Sequence, residues 1–150
     1  PVSVTEIDPW ASLSDTLQIN QLPNEALRLS LDQSLLFRPG SADLLEVGQA
    51  YLKQLADVIK DQPYRMIIEG HSDKTPIHNQ FFKSNWHLSA MRAAEVTATL
   101  ERFGVPGHQL SCRGFGESRP INSNAKTSDD HSQNRRVQIY IKPIKGVANE

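Results

Sequence analysis

The sequence predicts an α+β sandwich of βαβαβ-β order, in which a mixed sheet of about four strands packs against two main helices. Three observations predict it. Two stretches space their apolar residues three and four apart, four short stretches have strand patterning, and the two kinds alternate along the chain. Two β-α-β crossovers require some parallel pairing and place the helices on one sheet face or both.

The elements follow in order. Residues 1–24 carry Pro1, Pro9 and Pro23 among Ser and Asn with no sustained period, so they read as a linker or irregular arm. That arm has room for a short helix around Trp10–Leu17; the alternative is an arm docked on the domain through Trp10, Leu13 and Leu17. Residues 25–145 form the domain and 146–150 a tail. Leu27, Leu29 and Leu31 alternate with Arg28, Ser30 and Asp32, as in a half-buried strand. Phe37-Arg38-Pro39-Gly40 breaks the pattern, and Ser41 can cap a helix. Its inward face is Leu44, Val47, Tyr51, Leu52, Leu55, Val58 and Ile59, and Gln62-Pro63 stops it.

Tyr64–Glu69 is apolar on consecutive positions and reads as a central strand ended by Gly70. His71–Ser84 is a polar loop. A second helix fits Asn85–Phe103, with Leu88, Val96, Leu100 and Phe103 inward, Gly104 as left-handed cap and Pro106 preventing continuation. Leu110–Arg113 is a short strand and residues 114–133 a long polar loop. In the last strand Val137, Ile139 and Ile141 alternate with Gln138, Tyr140 and Lys142.

A chain of 150 residues fits one compact domain. Sixteen basic against 17 acidic side chains leave a net charge of −1, which argues against non-specific nucleic-acid binding and isolates Arg135-Arg136 as a local basic pair. Cys112 is the sole cysteine, so no internal disulfide forms, and a small buried core residue is expected. No apolar run approaches the roughly 18 residues of a membrane span. The chain begins at Pro1, so this says nothing of a longer parent.

Function-bearing chemistry concentrates between the second strand and the second helix. Asp73 stands just past a central strand end, where open sheets collect ligand groups, and Arg92 lies two turns into the following helix. A carboxylate accepts an ammonium, and a forked guanidinium grips a carboxylate. Together they suit a zwitterionic, amino-acid-like ligand; the bland alternative is an Asp73–Arg92 salt bridge across the loop.

Five short motifs occur in sequence between residues 35 and 142: Gly70-His71-Ser72-Asp73, Asn85-Trp86-His87-Leu88-Ser89, Arg92-Ala93, Gly114-Phe115-Gly116-Glu117 and Asn134-Arg135-Arg136-Val137. In this order they resemble the OmpA-like peptidoglycan-binding family. Trp86 after Asn85 and the loop Lys74-Thr75-Pro76-Ile77 resemble its flagellar-motor MotB branch. The departures are Ser72 for the commoner Thr, and Arg38 where many outer-membrane members carry an acidic or amide residue.

The resemblance implies that Asp73 takes the amino group, and Arg92 the carboxylate, of diaminopimelate in the peptide stem of peptidoglycan. Phe37, Asn85, Leu88 and Arg135 match family positions lining the same pocket. It also implies no cofactor, no catalysis, a periplasmic location and a homodimer. The parent would be anchored in the inner membrane and joined to a membrane-embedded stator partner through an N-terminal span. A general outer-membrane or lipoprotein wall anchor without a motor role is the nearer alternative, and a wall hydrolase or amidase the farther one.

Other chemistries find weaker support. His71-x-Asp73 with His78 and His87 matches no strong zinc spacing. Ser72 and Ser89 lack a nucleophile elbow. Gly114-Phe115-Gly116 leads into no third glycine and no helix, unlike a dinucleotide loop. Glu69, expected half-buried beside the site, has only Asp73 near it in the chain as a second catalytic carboxylate. The last strand offers RNA only Tyr140 as a stacking platform.

Overall fold

A computed structural model describes residues 17–77 and 79–144. The strands are β1 (Leu17–Gln21), β2 (Leu27–Asp32), β3 (Tyr64–His71), β4 (Leu110–Gly114) and β5 (Arg136–Pro143). The helices are α1 (Gln33–Leu36), α2 (Glu46–Ile59), α3 (Asn85–Arg102) and α4 (Ser128–Asn134). Sheet order is β1-β2-β5-β3-β4, with β3–β4 parallel and every other pair antiparallel. The architecture is the expected mixed α+β sandwich, with five strands where about four were expected.

The fifth strand is β1, within the stretch read as an irregular arm. Leu17–Gln21 pairs with Leu27–Leu31 of β2 across a short 3-10 turn at Pro23–Glu25. An edge strand of five residues, with Gln18, Asn20 and Gln21 among them, carries too few apolar positions to announce its period. The short helix expected around Trp10 lies outside the described residues, as do His78 and the tail.

One face of the sheet and the helices share a single core. Leu27, Leu29 and Leu31 of β2, Met66 and Ile68 of β3, and Val137, Ile139 and Ile141 of β5 pack with Tyr51, Leu52, Leu55 and Ile59 of α2 and Val96 and Leu100 of α3. The expected α2 face needs two corrections. Val47 is 50% exposed, because the helix begins at Glu46 and its first inward position is Gly48. Ser41 does not cap it; its Oγ accepts the Asp43 amide at 3.0 Å in a tight turn. Leu45 is the N-cap instead, because a Phe37–Leu44 bridge and a Leu45-to-Leu36 backbone bond hold residues 37–45 as a closed loop.

Helix α3 is capped by Ser84, followed by Gly104 at φ +112°, and lies directly on β3 and β4. A Cβ on Gly70 would stand 2.2 Å from the Ser89 carbonyl oxygen, and one on Gly114 2.4 Å from the Ala90 amide. Only glycine permits this backbone-to-backbone seat. Cys112, expected in the core, is exposed on the edge strand β4. The polar loop after β4 contains α4, an unexpected helix with no apolar period. A capping box between Thr127 and Asp130 starts it. Among the described residues no helix is long and apolar enough to cross a membrane.

Candidate ligand-binding cleft

At the C-terminal end of β3, which runs one residue past the expected stop at Gly70, the chain leaves His71 for the 72–77 loop and meets the first turns of α3. A cleft of about 370 Å³ opens there, lined by Asp73, Asn85, Leu88, Arg92 and Arg135 together with Gln33, Pro39, Gly40, Ser72, Thr75, Pro76 and Ile77. Five of the six site residues expected from the sequence therefore share one cavity. The sixth, Phe37, is 1% exposed and does not line it. Its ring lies 5.1 Å from the Arg92 guanidinium carbon and supports the cleft from beneath through a cation–π contact.

Asp73 and Arg92 are both buried, at 5% and 6% exposure, but they are not each other's partners. Asp73 Oδ1 accepts the Thr75 amide at 2.9 Å, and its Oδ2 accepts from Arg135 Nη1 in a salt bridge. Arg92 Nε donates to the Ser41 carbonyl at 2.7 Å and its Nη2 to the Arg38 carbonyl at 3.1 Å. Among the described residues no carboxylate lies within ion-pair distance of Arg92. The expected alternative of an Asp73–Arg92 salt bridge is thus replaced by Asp73–Arg135.

Burial, and secondarily the charge of Arg135, lower the Arg92 pKa to about 10. The guanidinium remains a cation at neutral pH. Asn85 sets the loop: its Nδ2 donates to the Asp73 carbonyl at 3.3 Å and the Thr75 carbonyl at 3.0 Å. Ser89 fixes the opposite rim, its Oγ accepting the Gly116 amide at 2.9 Å, while the Ser72 amide bonds to the Gly116 carbonyl at 2.8 Å. The Gly114-Phe115-Gly116 motif is therefore a brace between loop and helix.

Pro39 and Gly40 carry no titratable group, and Gln33 lies in a helix too short to show a period, so nothing in the residue pattern singles them out. The carbonyls of Arg38 and Ser41 act through backbone atoms that residue types do not reveal. Glu69 was expected beside the cleft, but strand alternation turns it elsewhere. Together with His71 it lines a different cavity. His87 Nδ1 lies 2.7 Å from Ser84 Oγ at the helix cap.

Residues 36–135 match the OmpA family. Motility protein B of Bacillus subtilis (strain 168) is 36% identical over 125 residues, 82% of this chain and 48% of that protein. Outer membrane porin F of Pseudomonas aeruginosa is 35% identical over 121 residues, 78% of this chain and 32% of that protein. The chain thus spans half or less of the length of these relatives. Among solved structures, the periplasmic domain of Helicobacter pylori MotB (residues 90-256) superposes with a TM-score of 0.78 at 26% identity, covering 93% of this chain and 86% of that one.

Proposed function

This chain belongs to the OmpA family, and from that premise we propose that it binds the peptide stem of peptidoglycan without cutting it. The observation that carries this reading is Arg92, a buried cation facing a cleft with no carboxylate of its own among the described residues. A ligand carboxylate supplies the missing charge, and the planar fork can bind it through two parallel hydrogen bonds. Asp73 uses one acceptor site on each oxygen for Thr75 and Arg135, which leaves lone pairs for an ammonium. The diaminopimelate side chain presents both groups on one carbon. Leu88 and Ile77 give its methylene stem an apolar wall.

Charge-assisted hydrogen bonds contribute roughly 1.5–3 kcal/mol each, enough for weak binding at one site. A polymeric wall met by many copies turns weak contacts into lasting attachment. We further propose that it anchors a flagellar motor stator, as a periplasmic dimer in a parent held by the inner membrane and joined to a membrane-embedded partner; the likeness to motility protein B supports the link to motility, and that to the periplasmic domain of MotB supports the periplasmic location. The likeness to an outer membrane porin supports the second reading, a general wall anchor without a motor role.

Sedimentation with insoluble wall tests binding: the protein should co-sediment, and free stem peptide carrying diaminopimelate should release it. Incubation of the protein with purified wall should yield no soluble fragments. Steady release of muropeptides would instead establish a hydrolase.

A further inference from the structure

The sheet face turned away from the core carries a second cavity, of about 490 Å³, that the peptide-stem reading does not use. Alternate residues of three neighbouring strands reach it: Arg28 from β2, Glu69 and His71 from β3, Arg136 from β5. Arg119, from the loop after β4, closes over them. The pairing sets His71 opposite Arg136 and Glu69 opposite Gln138.

The charges in this cavity do not balance. Arg136 is 7% exposed, and its Nη1 and Nη2 donate to the carbonyls of Asn134 at 3.3 Å and Arg119 at 3.0 Å. Its Nε is buried with no hydrogen-bond partner, and so is the Nε of Arg28. Arg119 holds its guanidinium carbon 4.0 Å from the centre of the Phe115 ring, which stacks in turn on His71. Among the described residues none of the three arginines forms an ion pair. Glu69 is the one carboxylate in the lining, and its oxygens face His71 Nε2 at 3.2 Å and Arg113 Nε at 3.9 Å.

Three guanidiniums against one engaged carboxylate leave a surplus of positive charge partly withdrawn from water, a costly arrangement unless an anion completes it. We infer that this cavity binds a phosphate-class oxyanion, held by Arg28, Arg119 and Arg136 on the sheet face opposite the Asp73–Arg92 cleft. A single carboxylate would leave part of the surplus uncompensated. A phosphate presents several oxygens and up to two charges, and forked guanidiniums can grip it from more than one side. The same chemistry is offered by soluble phosphate and by a phospholipid headgroup.

The test is a titration of the chain with inorganic phosphate, ionic strength held constant with chloride, followed by calorimetry and by the His71 ring resonances. Saturable one-site binding with movement of the His71 signals is expected. Arg28→Gln and Arg119→Gln, both on partly or fully exposed side chains, should each weaken it about tenfold, as loss of one charge-assisted contact implies. Neither should alter binding of a stem peptide at the cleft. Displacement of phosphate by phosphatidylglycerol vesicles would assign the site to a headgroup, and failure to displace it would assign it to soluble phosphate. A response that never saturates, or one unchanged by both substitutions, overturns the inference.

Discussion

Asp73 and Arg92 line one cleft, yet each is held by a different part of the chain: Asp73 by the Arg135 side chain, Arg92 by the carbonyls of Ser41 and Arg38. Carboxylate and guanidinium are therefore kept apart. Had they paired with each other, a zwitterion would have to break that pair before entering. Separate anchoring leaves both ends of the cleft ready for ligand.

Replacing Arg92 by Ala should abolish wall binding. The expected loss is about 2–5 kcal/mol, because a ligand carboxylate would be desolvated without its partner. Arg92→Lys keeps the charge but not the fork, and should retain only weak binding. Co-sedimentation with insoluble wall reads both variants, and circular dichroism checks that they fold. Undiminished sedimentation of Arg92→Ala would remove this residue from the site.

Asp73→Asn should weaken binding with little change of shape, since an amide cannot neutralise an ammonium. The comparison that isolates the effect uses stem peptides with and without the second amino group of diaminopimelate. Wild type should prefer the aminated peptide, whereas the variant should bind both alike. Equal preference in wild type would give Asp73 another role.

Gly70→Ala should destabilise the fold by about 3 kcal/mol or more, because the added methyl meets the Ser89 carbonyl of the helix backbone instead of a movable side chain. Urea denaturation measures this. A midpoint within error of wild type would mean that α3 can lift off the sheet freely.

Acid should erode stability through His71. Burial, then the charges of Arg136 and Arg119, lower its pKa from 6.5 to about 3. The unfolded chain therefore takes up a proton below pH 6.5 that the native state refuses until about pH 3. This contribution is complete above pH 6.5 and declines as pH falls through that window, by at most about 1.4 kcal/mol per pH unit. Denaturation of wild type and His71→Gln at pH 7 and pH 5 should show a smaller loss in the variant. Equal losses would place the acid sensitivity in other groups.

Much of this was legible in the sequence, for reasons particular to each element. The alternation in Leu27–Leu31 and Val137–Ile141 and the three-four spacing in α2 and α3 are imposed by a one-sided core. Asp73, Asn85, Leu88, Arg92 and Arg135 could be named because the motifs that carry them are side-chain motifs. Strand β1 escaped notice because an edge strand needs few apolar residues, and α4 because its seven residues are polar and only a cap marks it. The Arg135–Asp73 pair joins positions 62 residues apart, and residue types alone could not choose Arg135 over Arg92 as the partner.

The seat of α3 on Gly70 and Gly114 has a mechanical consequence. Asp73 follows the strand that contains Gly70, and Arg92 stands on the helix that rests against it at Ser89. No layer of pliable side chains separates the two backbones at that contact. Tension on a tethered polymer would therefore pass from one wall of the cleft to the other as through a stiff joint.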